Sequence, residues 1–164
     1  IKIFFIYIIN MIELVPSTDI KKVQTYIEEK ENVKLILKKQ NVNEIQKKGH
    51  LPHYDTGAAN HMTWCRYSAS TLLTNEYEGG EFVFVDDDDN DIRTITKDEH
   101  YMKTLVFDVG NKHKVNPHSN GDRKVNLYFW ESVTEIEPPQ CVKNYIEKIN
   151  QEQLTKGKKK KGNR

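Results

Sequence analysis

Apolar and polar residues alternate along most of the middle of the chain. Short runs with this two-residue period, rich in β-branched and aromatic residues, are separated by Gly, Asn and Asp. We interpret these runs as strands at residues 33–39, 41–48, 67–75, 81–85, 92–95, 103–109, 113–115 and 123–130. Many short strands with turns between them are typical of a sandwich, a barrel or a double-sheet jelly roll. The pattern therefore predicts a mostly β fold.

A helical period replaces the strand period towards both ends of the chain. Apolar side chains recur at helical spacing over residues 17–30, and Ser17 or Thr18 can cap the first turn. A second helix is predicted from Gln140 to Leu154. These two helices would flank the predicted strands on either side in the sequence.

Composition restricts the class of protein. Of the 164 residues, 37% are apolar and 30% are charged, which suits one soluble domain with a core and argues against a membrane span. The two cysteines, Cys65 and Cys141, match no zinc spacing and are too few for a disulfide framework. We therefore expect a single domain over residues 11–154.

The first ten residues, IKIFFIYIIN, are apolar but too short to span a bilayer, which takes about 20 residues. They lack the small-residue cleavage site of a signal peptide. The segment MIELVPSTDI, which begins at Met11, resembles an ordinary N-terminus of a protein. We therefore interpret residues 1–10 as a doubtful extension. With that start nothing targets the protein elsewhere, and we expect it in the cytoplasm.

The other end of the chain is strongly basic. Six of the 25 basic residues lie between Lys156 and Arg164, with no acidic residue among them, so the rest of the chain is net acidic. A charged segment without apolar residues cannot bury a core, and residues 155–164 are expected to be a disordered tail. Such a tail can contact nucleic acid, acidic protein or anionic lipid, although a solvated terminus is the simpler interpretation. The acidic body argues against a nucleic-acid groove on the domain.

A second charged segment, DDDDND at residues 86–91, resembles a calcium loop in its carboxylates. It lacks the Gly and the distal Glu of an EF-hand loop. We therefore predict a solvated loop between two strands.

The segment LPHYDTG at residues 51–57 contains the first candidate chemistry. His53 and Asp55 are two residues apart, so they share one face if this segment is a strand. One imidazole and one carboxylate are two of the three ligands in a two-His, one-carboxylate iron site. A surface hydrogen bond or a turn cap is the commoner explanation of a lone pair of this kind.

Two residues further along the chain strengthen the metal hypothesis. His113 directly follows the apolar strand predicted at residues 103–109 and is the candidate third ligand. Arg123 lies ten residues later, after the SNGD turn, and a hairpin of that length can return it to the same cavity. An arginine binds a carboxylate through two parallel hydrogen bonds without losing its charge, as the distal end of a 2-oxo acid requires.

With these residues in place, residues 42–131 resemble the catalytic core of the iron(II)- and 2-oxoglutarate-dependent dioxygenases, in their prolyl 4-hydroxylase-like branch. The motifs are HYD at 53–55, RYSASTLLTNEYEGGEFVF at 66–84 and LVFDVGNKHKVNPHSNGDRKVNLYFW at 105–130. The resemblance implies a double-stranded β-helix of the jelly-roll or cupin type, with flanking N- and C-terminal helices. It also implies the site residues, with Fe(II) held by His53, Asp55 and His113 and the distal carboxylate of 2-oxoglutarate held by Arg123.

The resemblance further implies the reaction. O₂ and 2-oxoglutarate would be cosubstrates, ascorbate the reductant, succinate and CO₂ the coproducts, and a prolyl or other amino-acid residue, in a peptide or free, the hydroxylated substrate. Halogenating relatives lack the carboxylate that Asp55 provides, so hydroxylation is the expected outcome. Two positions depart from the family: Leu73 stands where many relatives have Tyr, and Val125 where some have Ser, which leaves the remaining contacts to 2-oxoglutarate open.

The sequence also leaves other functions open. Oxidative nucleic-acid demethylases carry a second Arg where this chain has Phe129, so nucleic acid is disfavoured as a substrate except through the tail. The departures at Leu73 and Val125 leave room for a non-catalytic, cupin-like ligand-binding module. Zinc also takes two His and one carboxylate, but a zinc hydrolase would lack an obvious general base here.

The remaining histidines are expected to be exposed or hydrogen-bonded rather than metal ligands, with His50 or His118 placed near the mouth of the site. They are His50, His61, His100 and His118.

Overall fold

The computed structural model describes residues 11–56 and 62–161, and these residues form eleven strands and three helices. The elements, in chain order, are β1 (Ile12–Val15), α1 (Ile20–Glu31), β2 (Leu35–Ile45), β3 (His50–His53), β4 (Cys65–Leu72), β5 (Glu78–Gly79), β6 (Phe82–Val85), β7 (Asp91–Ile95), α2 (Lys97–His100), β8 (Thr104–Asp108), β9 (His113–Val115), β10 (His118–Ser119), β11 (Lys124–Ser132) and α3 (Gln140–Lys161). The extension expected at residues 1–10 and His61 lie outside the described residues.

Two antiparallel sheets carry the fold. A five-stranded sheet has the order β1-β8-β4-β11-β2, a four-stranded sheet has the order β3-β9-β6-β7, and β5 and β10 form a separate pair. Phe82 and Phe84 of the smaller sheet pack against Leu105 and Phe107 of the larger one, so apolar side chains fill the space between the sheets. The structure confirms the mostly β prediction and is consistent with a jelly roll flanked by helices.

Helix α1 covers the outer face of the larger sheet. Its buried residues Val23 and Ile27 belong to the same apolar cluster as Trp130, which is fully buried on β11. The Gln24 amide oxygen accepts a hydrogen bond from the Trp130 indole at 2.9 Å. The predicted caps are wrong by one or two positions, because the cap is Asp19, whose carboxylate accepts from the Lys21 backbone N–H.

Strand β2 is longer than the sequence pattern predicts. The pattern predicts two strands at residues 33–39 and 41–48, whereas one strand runs from Leu35 to Ile45 along β11. The pairing of β2 with β11 contains two shifts of register, which allow one continuous strand despite the interruption in the apolar pattern. The strands β5 and β10 and the helix α2 are too short to show a period, and the sequence does not predict them.

Helix α3 continues from Gln140 to Lys161, beyond the predicted end at Leu154. Residues 155–161 therefore differ from the disordered tail expected there. Lysine has a favourable helix propensity, so the helix can continue although the described side chains from Gln151 to Lys158 are exposed. Among the described residues, no helix combines the length and the apolar composition that crossing a membrane requires.

Candidate metal centre

Strands β3 and β9 bring the three predicted ligands together. These strands pair antiparallel, with His53 directly opposite His113, and Asp55 lies just beyond the end of β3. One nitrogen from each histidine and one oxygen from Asp55 lie within 4.8 Å of one another. Two segments that are far apart in sequence thus converge on a common point between the sheets.

Hydrogen bonds fix how the two imidazoles face Asp55. The Nδ1 atoms of His53 and His113 lie 2.6 Å and 3.0 Å from the backbone carbonyls of Leu51 and Asn111. A carbonyl oxygen only accepts, so each Nδ1 carries a proton and, in the neutral imidazole, each Nε2 presents its lone pair. The Nε2 atoms lie 3.2 Å and 3.4 Å from the same Oδ1 of Asp55. Two imidazole nitrogens and one carboxylate oxygen can hold a divalent metal ion.

The electrostatics of this cluster favour an ionised carboxylate. Burial opposes the charge on Asp55, but the neighbouring His113 and His53 outweigh it and hold the pKa of Asp55 well below its usual value. Burial is the largest single influence on the pKa of His53 and lowers it, but the hydrogen bond to Asp55, the charge of Asp55 and the Leu51 carbonyl together raise the pKa above its usual value. The buried negative charge therefore attracts positive charge, which a proton or a metal cation can supply.

Aromatic side chains hold the ring of His113. Phe82 stacks on it with a centroid distance of 5.1 Å and an interplanar angle of 12°, and Phe107 meets it edge-on at 4.8 Å. His113 is only 4% exposed. The apolar surroundings restrict the ring to one orientation and keep water from this side of the cluster.

The acidic loop at residues 86–91 contacts residues next to the ligands. The Tyr54 hydroxyl, between His53 and Asp55 in sequence, donates to Asp87 at 2.8 Å. Lys112, next to His113, forms an ion pair with Asp89 at 2.6 Å. The loop is largely exposed, as predicted, but it also links the two segments that carry the ligands.

The three candidate ligands and Arg123 line one cavity of about 470 Å³. Its walls come from both sheets and, through Tyr145 and Ile149, from helix α3. Val125 also lines the cavity, whereas Leu73 does not. The contribution of α3 could not be foreseen, because the spacing of its apolar residues does not reveal which surface they cover.

Arg123 is a buried cation inside this cavity. It is 7% exposed, and among the described residues no carboxylate lies within salt-bridge distance of it. Its Nε also lacks a hydrogen-bond partner within the described part of the chain. Burial lowers the pKa of Arg123, while the nearby Tyr77 hydroxyl acts in the opposite direction. A buried charge without a counterion is costly, so this arrangement suits an anion that enters from solvent.

The other histidines have structural positions. His50 lies on the cavity wall, with its ring centroid 5.8 Å from that of His53. His118 is buried, and its Nε2 accepts from the Arg123 backbone N–H at 3.2 Å. His100 is buried against β4, where its Nε2 lies 2.7 Å from the Ser70 carbonyl oxygen.

Gly80 makes room for Arg123, and replacing it with alanine tests that role. A Cβ at Gly80 would lie 2.8 Å from Cδ of Arg123 and 3.1 Å from Cβ of His118, at a φ of +69°. We expect Gly80→Ala to displace the arginine and to destabilise the protein by about 1–3 kcal/mol, because a side chain is strained at this φ. Chemical denaturation and an anion-binding titration measure the two effects. An alanine variant with unchanged anion affinity would show that Arg123 does not depend on Gly80.

The buried His100 predicts a loss of stability in mild acid. Burial lowers its pKa from 6.5 to about 4, despite the hydrogen bond to the Ser70 carbonyl. Below pH 6.5 the unfolded chain binds a proton at this residue that the folded protein does not bind, so stability falls with pH. We expect the free energy of unfolding to fall by about 2 kcal/mol from pH 7 to pH 5 on account of His100.

The matched variant for this effect is His100→Gln, which retains an N–H donor and does not titrate. Urea denaturation at the two pH values compares the two proteins. From pH 7 to pH 5, the free energy of unfolding of the variant should fall by about 2 kcal/mol less than that of the wild type. An equal decrease in both proteins would assign the acid sensitivity to other groups.

Comparisons with known proteins identify the fold. Neither a protein-family model nor a curated protein matches the sequence. Among solved structures, the chain is similar to an oxidoreductase of the 2OG-Fe(II) oxygenase family from Burkholderia pseudomallei, with 15% sequence identity and a TM-score of 0.55. The similarity covers 70% of this chain and 53% of that chain, so this chain spans about half of its structural neighbour. The structure thus combines the fold of a 2OG-Fe(II) oxygenase with a His-Asp-His cluster that could hold a metal ion.

Proposed function

We propose that this protein is an Fe(II)- and 2-oxoglutarate-dependent oxygenase that hydroxylates a C–H bond of a prolyl or other amino-acid residue. The observation that carries the proposal is a cavity in which a two-His, one-carboxylate cluster faces a buried arginine that has no counterion among the described residues. The first group suits Fe(II), and the second suits the far end of a dicarboxylate.

The donor set fits the metal. His53 and His113 present Nε2 towards Asp55, and their Nδ1 protons are held by backbone carbonyls, as is usual for metal-binding histidines. Three protein ligands leave positions for a bidentate 2-oxo acid and for O₂. When bound, iron would supply the activation of O₂ that couples oxidative decarboxylation of 2-oxoglutarate to C–H hydroxylation.

The chain's own residues would bind, orient and shield the reactants. Arg123 would hold the distal carboxylate and so direct the 2-oxo end towards the metal cluster. Phe82 and Phe107 form an apolar wall beside His113 and would keep water from the reacting groups. As a carboxylate ligand, Asp55 would favour hydroxylation over halogenation.

The substrate proposal rests on the resemblance of the sequence motifs to those of the prolyl 4-hydroxylase-like branch. The edge strand β2 adds polar side chains to one wall of the cavity, which suits a polar amino-acid or peptide substrate. These side chains are Lys39, Asn41 and Glu44. Ascorbate would serve as the reductant that keeps iron in the Fe(II) state.

The proposal is tested by following 2-oxoglutarate in air with Fe(II) and ascorbate, with and without proline-containing peptides and free amino acids. NMR should detect succinate, formed faster when a true substrate is present, and mass spectrometry should detect an added oxygen in that substrate. Folded, iron-loaded protein that consumes no 2-oxoglutarate under any of these conditions would contradict the proposal. A non-catalytic ligand-binding module would then explain the cavity better.

A further inference from the structure

Two buried polar atoms in the same cavity have no hydrogen-bond partner within the described residues. One is Nε of Arg123, and the other is the side-chain oxygen of Ser70. Ser70 is 2% exposed and Arg123 is 7% exposed, so neither atom compensates for the missing bond by contact with bulk water. Buried polar groups in folded proteins are nearly always hydrogen-bonded, so two unpartnered groups in one cavity point to a common ligand.

The strand pairing places Ser70 between the metal cluster and Arg123. On β4, Ser68 lies opposite Phe107, which contacts His113. Further along β4, Leu72 lies opposite Val125, two residues after Arg123. Ser70 lies between Ser68 and Leu72, and side chains two residues apart on a strand share one face. The Ser70 hydroxyl therefore faces the cavity between the metal cluster and Arg123.

The position of Ser70 is firmly held. Its strand is paired on both sides, with Leu105 of β8 and Leu127 of β11 opposite Ser70 itself. Its carbonyl oxygen lies 2.7 Å from Nε2 of His100, which is buried beside β4. By contrast, the Ser68 hydroxyl already has the Cys65 thiol at 3.5 Å. Of Ser68 and Ser70, which both line the cavity, Ser70 is therefore the one whose hydroxyl has no hydrogen-bond partner among the described residues.

We propose that the Ser70 hydroxyl is the second donor to the distal carboxylate of 2-oxoglutarate, beside Arg123. This assignment rests on the proposed function. A carboxylate can accept about four hydrogen bonds, and an arginine fork uses two of them, which leaves room for a hydroxyl donor. The neighbouring Tyr77 contacts the guanidinium and does not line the cavity. Ser70 would take the role that the family gives to a tyrosine where this chain has Leu73.

Binding of 2-oxoglutarate to Mn(II)-loaded protein tests the assignment without turnover. Isothermal titration calorimetry compares the wild type, Ser70→Ala and Ser132→Ala. Ser132 is the matched control, because its buried hydroxyl also lacks a partner among the described residues but does not line the cavity. We expect Ser70→Ala to weaken binding about tenfold, as the loss of one hydrogen bond to a charged group does, and Ser132→Ala to leave it unchanged.

A second ligand isolates the distal carboxylate. In 2-oxopentanoate a methyl group replaces that carboxylate, so its affinity should be the same for the wild type and Ser70→Ala. An equal loss for both ligands would make Ser70 a support for the cavity and overturn the assignment. Weakened 2-oxoglutarate binding in Tyr77→Phe but not in Ser70→Ala would also overturn it, by transferring the contact to Tyr77.

The same titration separates this assignment from the proposed function. Wild-type, Mn(II)-loaded protein that binds neither ligand would overturn both. If the wild type binds 2-oxoglutarate and Ser70→Ala binds it with the same affinity, only the role of Ser70 is overturned. Thermal unfolding of each variant establishes that the proteins compared are folded.

Discussion

Asp55→Ala is expected to abolish both Fe(II) binding and 2-oxoglutarate turnover while the protein stays folded. The Oδ1 atom of Asp55 is the point on which the Nε2 atoms of His53 and His113 converge, and alanine leaves two neutral nitrogens without a charged ligand. Loss of a partner that merely orients a metal ligand costs roughly 10- to 100-fold in affinity. Loss of the anionic ligand itself should cost more than that.

His113→Ala should lose the metal in the same way. This substitution also leaves a cavity between Phe82 and Phe107, so the stability of the variant is measured separately. The matched control is Asp88→Ala, which removes an exposed carboxylate from the acidic loop. Metal analysis after dialysis and circular dichroism compare the variants. Iron retained by folded Asp55→Ala at the wild-type level would contradict the ligand assignment.

Arg123→Lys is expected to raise the 2-oxoglutarate concentration needed for half-maximal turnover by about 10- to 100-fold. Lysine keeps the positive charge but cannot form two parallel hydrogen bonds to one carboxylate. The side chain of Arg123 is also closely packed, because a Cβ at Gly80 would lie only 2.8 Å from its Cδ. Fe(II) affinity should not change, because Arg123 belongs to a different part of the cavity from the metal cluster.

The control for this variant is Arg93→Lys, at an exposed position on β7. Steady-state kinetics with varied 2-oxoglutarate and a metal-binding titration measure the two properties. A variant with wild-type dependence on 2-oxoglutarate would place the carboxylate anchor elsewhere in the cavity. A variant that loses iron as well would show that the two parts of the cavity are not independent.

The shared face of His53 and Asp55 is a local feature of the sequence, whereas their convergence with His113, a long-range contact, is expected from the resemblance to the dioxygenase family. His53 and Asp55 share a face through their two-residue spacing, and His113 follows a strongly apolar strand. The turn after His113 similarly returns Arg123 towards the same cavity. The roles of these four residues remain proposals that the variants above test.

Other features depend on contacts that a single segment does not reveal. That the Ser70 hydroxyl finds no partner in the described part of the chain follows from which neighbours its strand acquires in the sheet. The burial of His118 follows from the return of Arg123, whose backbone N–H it accepts. Tyr145 and Ile149 line the cavity because of where α3 lies, and the sequence does not specify that position.

Joint binding of Fe(II) and 2-oxoglutarate in one cavity is tested most directly by an anaerobic titration. Fe(II) and then 2-oxoglutarate are added to the purified protein without oxygen, and the visible charge-transfer band of the chelate is recorded. We predict a band in the wild type that disappears in Asp55→Ala and requires more 2-oxoglutarate in Arg123→Lys. No band in folded wild-type protein, or a band of equal strength in Asp55→Ala, would overturn the joint iron and 2-oxoglutarate site.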